Sequence, residues 1–371
     1  MLLNNGNGGG NHMANAAQMQ HDLIGVQGLS NEGVAFNPHP QAAWFKKGGN
    51  MGLFIHFGIS AVSGKVDLSW GMMANKPWEQ KIGVDFTVTP NEYFSFAQSF
   101  EPKNYDPEKW ILAIKEAGFT YAVFTAKHHD GFAMWPSEYG SFSTKNYLSG
   151  FDFVEGYVNA CRKHNIKIGL YYSPPDWYYN REYMSFNYGS VHGANAVSFE
   201  GRPHYDALHK PTTLKSKPNK FEDAFTEYVD KQIRELITKY GKIDMLWFDG
   251  SIDKYEKVIS IDEIRKIQPW IIINSRLHHM GDFKTFECKM PKEKPTVVWE
   301  YEEIWADGPW WGYMEQSKGY KPAGWLVDAF ERTKKWNGNF LINVGPMADG
   351  ELPQEVYSRL SEVKRIMENR L

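Results

Sequence analysis

The sequence predicts an α/β fold, a (β/α)8-like barrel of irregular build, and three observations predict it. From about Pro38 onward, apolar strand-length runs alternate with amphipathic helical stretches, the pattern of a parallel sheet wrapped by helices. No GxGxxG turn follows the first of these runs, which argues against a dinucleotide-binding sheet. Chemically active side chains stand at the C-terminal end of nearly every run, as expected where the loops of a closed barrel converge on one mouth.

Taken in order, Gly52–Gly58 reads as a first strand. Asp106 then caps a helix with Pro107 at its first position and Trp110, Ile111, Ile114 and Ala117 on one face. Gly118 closes that helix, and residues 120–126 form a second strand running into Lys127, His128, His129, Asp130 and Gly131. Asp152 opens the next helix through Val154, Val158 and Cys161, followed by a third strand at 166–173. Residues 176–219 have no clear period and read as a long loop over the mouth, the kind of segment that is usually functional or disordered. Helix 221–240 carries Phe225, Val229, Ile233 and Ile237 at four-residue spacing, and Gly241 ends it. Strand 243–249 follows. Ser260 to Glu263 fits a capping box before strand 270–275. Residues 296–300 and 340–344 supply two later strands, and Pro353 starts a last amphipathic helix through Val356, Leu360, Val363 and Met367.

Composition excludes several functions. A formal net charge of -3, without a dense Lys/Arg stripe, provides no field for nucleic acid or an anionic membrane. Cys161 and Cys288 form neither a disulfide framework nor a metal-binding spacing, and no cofactor is expected. Residues 1–20 are Asn/Gly-rich, without an apolar span long enough for a signal peptide or membrane helix. A flexible leader or arm is expected over 1–37 and the barrel domain over 38–371. A soluble protein follows, either cytoplasmic or secreted after processing. Aromatic residues make up 15% of the chain, which suits either a bulky core or stacking surfaces for the C–H faces of sugars.

The strand ends carry the chemistry. His56 ends the first strand, Lys127 to Asp130 the second, and Asp176 and Trp177 follow the third. Asp249 closes the fourth, between Trp247-Phe248 and Gly250, where a carboxylate near cations can be held ionised as a nucleophile or as half of a salt bridge. Arg276 and Glu287 come after the fifth strand, and Glu300 ends the sixth. Either glutamate suits a proton donor, since a glycosidase needs a second carboxyl of raised pKa. A metal cluster of His56, His128, His129 and Asp130 is not expected. No HxH pair is present, and neighbouring strand-end side chains point in opposite directions. Neutral imidazoles serve equally well as readers of sugar hydroxyls.

These segments resemble the α-L-fucosidases of glycoside hydrolase family 29. The resemblance rests on Phe54-Ile-His-Phe-Gly58, Lys127-His-His-Asp-Gly-Phe132 with Trp135, Gly169-Leu-Tyr-Tyr-Ser173 with Asp176-Trp177, and Leu246-Trp-Phe-Asp-Gly250. It continues through Asn274-Ser-Arg276, Gly281-Asp-Phe283, Trp299-Glu300, Trp311-Gly-Tyr313 and Asn343-Val-Gly-Pro346 with Asp349-Gly350, in the family's order over roughly 40–371. It implies a retaining exo-glycosidase that removes terminal α-L-fucose from glycans or oligosaccharides through a covalent intermediate. Asp249 falls on the nucleophile, Glu287 on the commonest acid/base position, and Glu300 is the runner-up. His56, His128, His129, Trp247 and Arg276 fall on sugar-binding positions, joined by Trp70 and Tyr171. Phe54 and Trp311 fall on aromatics near the C5 methyl. Two departures stand out. Ser69-Trp70 replaces the Glu-Trp that members often carry, and the chain stops after the last barrel helix, where many members continue into a β-sandwich. The alternatives are a catalytically weak fucose-binding protein on the same fold and a metal-dependent barrel hydrolase.

Overall fold

The structure is a computed structural model and describes residue 19 together with residues 38–190 and 199–370. The expected leader, apart from Met19, and residues 191–198 of the expected loop lie outside the described residues. Eight parallel strands form one sheet: β1 Met51–Ile55, β2 Tyr121–Lys127, β3 Lys167–Tyr172, β4 Met245–Phe248, β5 Ile272–Ile273, β6 Lys284–Glu287, β7 Trp299–Ile304 and β8 Asn339–Val344. Their spatial order is β5-β4-β3-β2-β1-β8-β7-β6. The two end strands meet through a single parallel bridge, Asn274 to Phe283, so the sheet curls into an irregular (β/α)8-type barrel.

Among the described residues, six helices of seven residues or more cover the outside: α1 Pro107–Glu116, α2 Phe153–Lys163, α3 Asn219–Lys239, α4 Ile261–Ile267, α5 Ala323–Lys335 and α6 Gln354–Glu368. The expected caps operate. Asp106 accepts from the Lys109 N–H at 3.2 Å, Asp152 from the Glu155 N–H at 2.9 Å, and Ser260 with Glu263 forms a full capping box. The helices whose apolar stripe the spacing predicts bury it, for instance Trp110, Ile111 and Ile114 on α1. Burying side chains of this size contributes roughly 1.5–3 kcal/mol apiece.

The period-2 alternation of the strands separates two cores. Leu53, Ile55, Ala122, Phe124, Ile168, Leu170 and Ile342 belong to the layer shared with the helices. Phe54, Tyr121, Val123, Tyr171, Met245, Trp247, Ile272 and Leu341 form a second cluster that fills the barrel. Continuing the inward register to the strand ends leads to the residues of the mouth.

The structure departs from the sequence expectations in four places. β6 was not anticipated: it has only four residues, and its inward side chains, Thr285 and Glu287, are polar. The strand expected at 296–300 runs over 299–304, because Glu300, Glu302 and Glu303 disguise a fully buried strand as a charged surface run. Helix α5, which buries Leu326, Val327 and Phe330, is an element not among those expected. The segment 176–219 also carries a helical turn, Trp177–Asn180, and a two-strand ladder pairing His204–Tyr205 with Pro211–Thr212.

No helix separates β5 from β6, and Asp282 holds that seam. Its N–H donates to the Ile273 carbonyl at 2.7 Å, while its Oδ2 accepts from the Ile273 N–H at 2.8 Å. Oδ1 meets Arg265 Nη2 at 2.7 Å. A Cβ on Gly281 would come within 2.6 Å of the Ile273 oxygen, so glycine is what lets the two chains approach. Asp282→Ala should therefore lower unfolding stability by about 1–3 kcal/mol, since it strands a buried N–H and leaves a half-buried guanidinium without its partner. Urea unfolding checks this, and a loss below roughly 1 kcal/mol would show that the seam does not depend on Asp282.

Candidate active site

The mouth is built from inward positions at the C-terminal ends of the strands. Asp249 lies one residue past β4, with its N–H bonded to the Tyr172 carbonyl at 3.0 Å. The Tyr171 hydroxyl donates to Asp249 Oδ2 at 2.6 Å, and Arg276 Nη1 donates to Oδ1 at 2.8 Å. His129 Nε2 stands 3.4 Å from Oδ2. Burial works to raise the Asp249 carboxyl, but His129, Arg276 and the Tyr171 hydroxyl together hold it below the usual carboxylate range. Since burial also depresses the His129 imidazole, the guanidinium is the permanent charge that keeps Asp249 ionised at neutral pH.

Arg276 is the hub. Its side chain is 4% exposed and lies over the Trp247 ring, 4.4 Å from the centroid. Nε donates to Thr285 Oγ1 at 3.0 Å, and Nη2 faces Glu287 Oε2 at 2.9 Å and Glu302 Oε2 at 3.4 Å. Asp249 and Glu287 are thus held on two arms of one guanidinium. Burial, aided by the Asp249 charge, raises Glu287 against the opposing pull of Arg276.

Glu300 stands elsewhere. It is fully buried in the barrel, accepting from the Tyr121 hydroxyl at 2.6 Å and from Trp247 Nε1 at 2.8 Å. Burial pushes its carboxyl up to about 7. Both of its oxygens are engaged beneath the pocket, and it fixes the Trp247 ring on which Arg276 rests.

Three imidazoles line the opposite side. His56 Nδ1 bonds Asn343 Oδ1 at 2.6 Å, and the Asn343 amide nitrogen donates to the Trp311 carbonyl at 2.7 Å. That second bond orients the amide, so His56 must donate from Nδ1 and leave Nε2 as an acceptor. The same logic applies to His129. Ser173 Oγ gives its proton to the Pro175 carbonyl at 2.6 Å and accepts from His129 Nδ1 at 2.6 Å. His128 Nδ1 bonds Ser69 Oγ. Burial lowers all three imidazoles, His56 to about 4, so they are neutral at neutral pH.

Aromatic rings close the pocket. Phe54 packs 5.1 Å from Trp247 and 6.2 Å from Trp311, and Trp311 lies 5.3 Å from His56. Tyr171 stacks between His128 and Trp247, at 5.6 Å from each. Trp70 stands edge-on to His129 at 5.7 Å and to Trp177 at 5.1 Å. All the sequence-proposed residues except Glu300 therefore gather around one mouth. Lys127, Asp130 and Asp176 form the layer behind it: Lys127 pairs with Asp176 at 3.1 Å, and Asp130 accepts from the Tyr93 hydroxyl at 2.8 Å.

The expectation that His128 and His129 point apart is overturned. Their rings are 4.4 Å apart, because both residues lie past the end of β2, where the chain turns and alternation no longer applies. Donor atoms of His128, His129 and Asp249 lie within 4.8 Å of one another, a spacing that a metal ion could use and that hydroxyl groups of a sugar satisfy equally. Sequence reasoning missed the supporting residues Asn343, Ser173, Thr285 and Glu302. It also missed Asp67, whose Oδ1 accepts from the N–H groups of Trp311 and Gly312 at 2.9 and 2.8 Å and so sets the Trp311 loop. The inward register from Glu300 would have pointed to Glu302; the others offer no local signal.

Known proteins resemble this chain in sequence and in fold. The family model described as Alpha-L-fucosidase matches residues 30–370. Alpha-L-fucosidase 1 of Arabidopsis thaliana is 26% identical over an alignment that covers 92% of this chain and 65% of that relative, so the chain spans about two thirds of its length. Alpha-L-fucosidase isoenzyme 1 from Paenibacillus thiaminolyticus is similar in structure, with a TM-score of 0.72 and 30% identity over 89% of this chain and 75% of that one. An alpha-L-fucosidase GH29 from Bacteroides thetaiotaomicron, solved as a trapped covalent intermediate with 2-fluoro-fucosyl fluoride, shares the fold at a TM-score of 0.67 and 23% identity, over 92% of this chain and 77% of that one. A family model that spans nearly the whole chain, on a barrel whose mouth holds this constellation, shows that the chain belongs to the alpha-L-fucosidase family.

Proposed function

We infer that this protein is a retaining, exo-acting α-L-fucosidase that hydrolyses terminal α-linked L-fucose from glycans or oligosaccharides. The observation that carries the reading is Arg276 bridging two carboxyls of opposite character, Asp249 held ionised and Glu287 raised toward the protonated form. Such a split between neighbouring carboxyls assigns a nucleophile and an acid. Asp249 attacks C1 of the sugar as the C1–O bond to the leaving group breaks, and Glu287 delivers its proton to the departing oxygen. Water then attacks C1 of the glycosyl ester while Glu287 takes its proton back, which returns Asp249 as a carboxylate.

Recognition follows from the same geometry. Nε2 of His56 and of His129 present lone pairs to the pocket, so sugar hydroxyls donate to them. Phe54 and Trp311 offer an apolar wall that suits the C5 methyl of a 6-deoxy sugar, while Trp70, Tyr171 and Trp247 shape the rest of the pocket. Glu287 rather than Glu300 is assigned as acid/base, because both Glu300 oxygens are occupied beneath the pocket and its side chain has no exposure. The deep carboxyl instead secures the floor.

Two outcomes test this reading. Asp249→Gly should lower kcat on an aryl α-L-fucoside on the order of 10⁴-fold or more while fucose still binds, with turnover partly restored by azide. A variant that keeps a tenth of wild-type kcat without azide would remove Asp249 from the nucleophile role. The pH profile of kcat/KM should be a bell. Activity falls on the acid side as Asp249 is protonated, below the usual carboxylate range, and on the alkaline side as the raised Glu287 ionises. Glu287→Gln should abolish the alkaline limb and cost roughly 10²–10⁴-fold on poor leaving groups. An unaltered alkaline limb in that variant would instead return the acid role to Glu300.

A further inference from the structure

One carboxyl of the cluster has no part in the chemistry above. Glu302, two residues past Glu300 on the same inward face of β7, is fully buried. Its Oε2 lies 3.4 Å from Arg276 Nη2, and its Oε1 is buried without a hydrogen-bond partner among the described residues. The groups facing it are Arg276 from the segment after β5, Glu287 and Cys288 from β6 and its end, Asp249 after β4, Tyr121 on β2, and Glu300 on its own strand.

Charge counting decides its state. Asp249, Glu287 and Glu302 surround a single guanidinium, and a buried cation cannot balance three carboxylates. Asp249 is the best supplied with donors, from Tyr171 and Arg276. Glu302 is the worst supplied, with one long contact and one bare oxygen, so it is the last of the three to ionise. Burial, the first cause, together with its carboxyl neighbours, drives it far above the ordinary range, in line with this geometry.

We propose that Glu302 is a positioning residue that keeps its proton throughout turnover and, by accepting from Arg276 Nη2, competes with Glu287 for that arm of the guanidinium. The inference rests on Glu287 as acid/base. Before reaction the cluster holds Asp249 as an anion, Arg276 as a cation, and protonated Glu287 and Glu302. Once the glycosyl ester has formed, Asp249 is neutral and Glu287 carries the charge beside the same guanidinium. The negative charge passes from one arm of Arg276 to the other and the buried cluster stays neutral, provided that Glu302 never ionises. Without that competition Nη2 would bind Glu287 more tightly, favour its carboxylate and strip the acid of its proton at lower pH.

The test compares Glu302→Gln, which keeps an acceptor and is neutral, with Glu302→Leu, which removes the acceptor. On an aryl α-L-fucoside with a poor leaving group, Glu302→Gln should leave the alkaline limb of kcat/KM in place. Glu302→Leu should move it down by about one pH unit. Glu302→Met serves in the same comparison if the leucine variant does not fold. Infrared difference spectra at neutral pH should show a protonated-carboxyl C=O band in the wild type that Glu302→Gln lacks. A downward shift of the limb in Glu302→Gln, an unmoved limb in the hydrocarbon variants, or no lost band would each overturn the proposal. If Glu287→Gln retains the wild-type alkaline limb, the acid assignment fails on separate grounds, and the infrared band still decides whether Glu302 carries a proton.

Discussion

Arg276 is the interaction on which the site depends, because among the described residues it is the permanent charge shared by the buried carboxyls Asp249, Glu287 and Glu302. Its two terminal nitrogens reach Asp249 and Glu287, its Nε is fixed by Thr285, and its plane rests on Trp247. A guanidinium suits this task where an ammonium would not, since it is planar, always charged and presents its donors in a fixed fork. The two carboxyls it joins are pushed apart in proton affinity by their surroundings, which allows one pocket to hold both a base-like and an acid-like carboxyl at the same pH.

The barrel supplies the dry, fixed frame this arrangement needs. Its interior is filled by aromatic and aliphatic residues from alternating positions, and the deep carboxyl of Glu300 is satisfied by a hydroxyl and an indole N–H. Above it, burial keeps three imidazoles neutral, and Asn343, Ser69 and Ser173 hold their Nδ1 atoms. Neutral imidazoles add no permanent charge beside Asp249, so the fixed positive charge next to that carboxyl is the Arg276 guanidinium. Closure of the sheet at Asp282 matters for the same reason, because β5 leads into Arg276 and β6 ends in Glu287.

Much of this was legible in the sequence, for reasons tied to particular residues. Apolar runs ending in His56, in Lys127 to Asp130 and in Asp249 disclose both the strands and the end of the barrel that carries chemistry. Caps such as Asp106, Asp152 and Ser260 locate helix starts, because each side chain bonds the N–H three residues along the chain. The strand bearing Glu287 was hidden by its shortness, its polar inward face and the lack of a helix between it and β5. Glu302 was hidden because a run of carboxyls reads as solvated surface, whereas here a guanidinium from another strand end shelters it. Partners such as Asn343 for His56, 287 positions away, come from closure of the barrel and leave no local pattern.

The account's central claim is that Asp249, kept ionised by Arg276, forms the bond to the sugar. Its most direct test is mass spectrometry of the protein after incubation with 2-deoxy-2-fluoro-α-L-fucosyl fluoride, which slows release of a glycosyl-enzyme. One fluorofucosyl group attached to the peptide containing Asp249, and removed on prolonged turnover, is the predicted result. A label on the Glu287 peptide instead, or hydrolysis of the reagent with no covalent label at any time, would contradict the account.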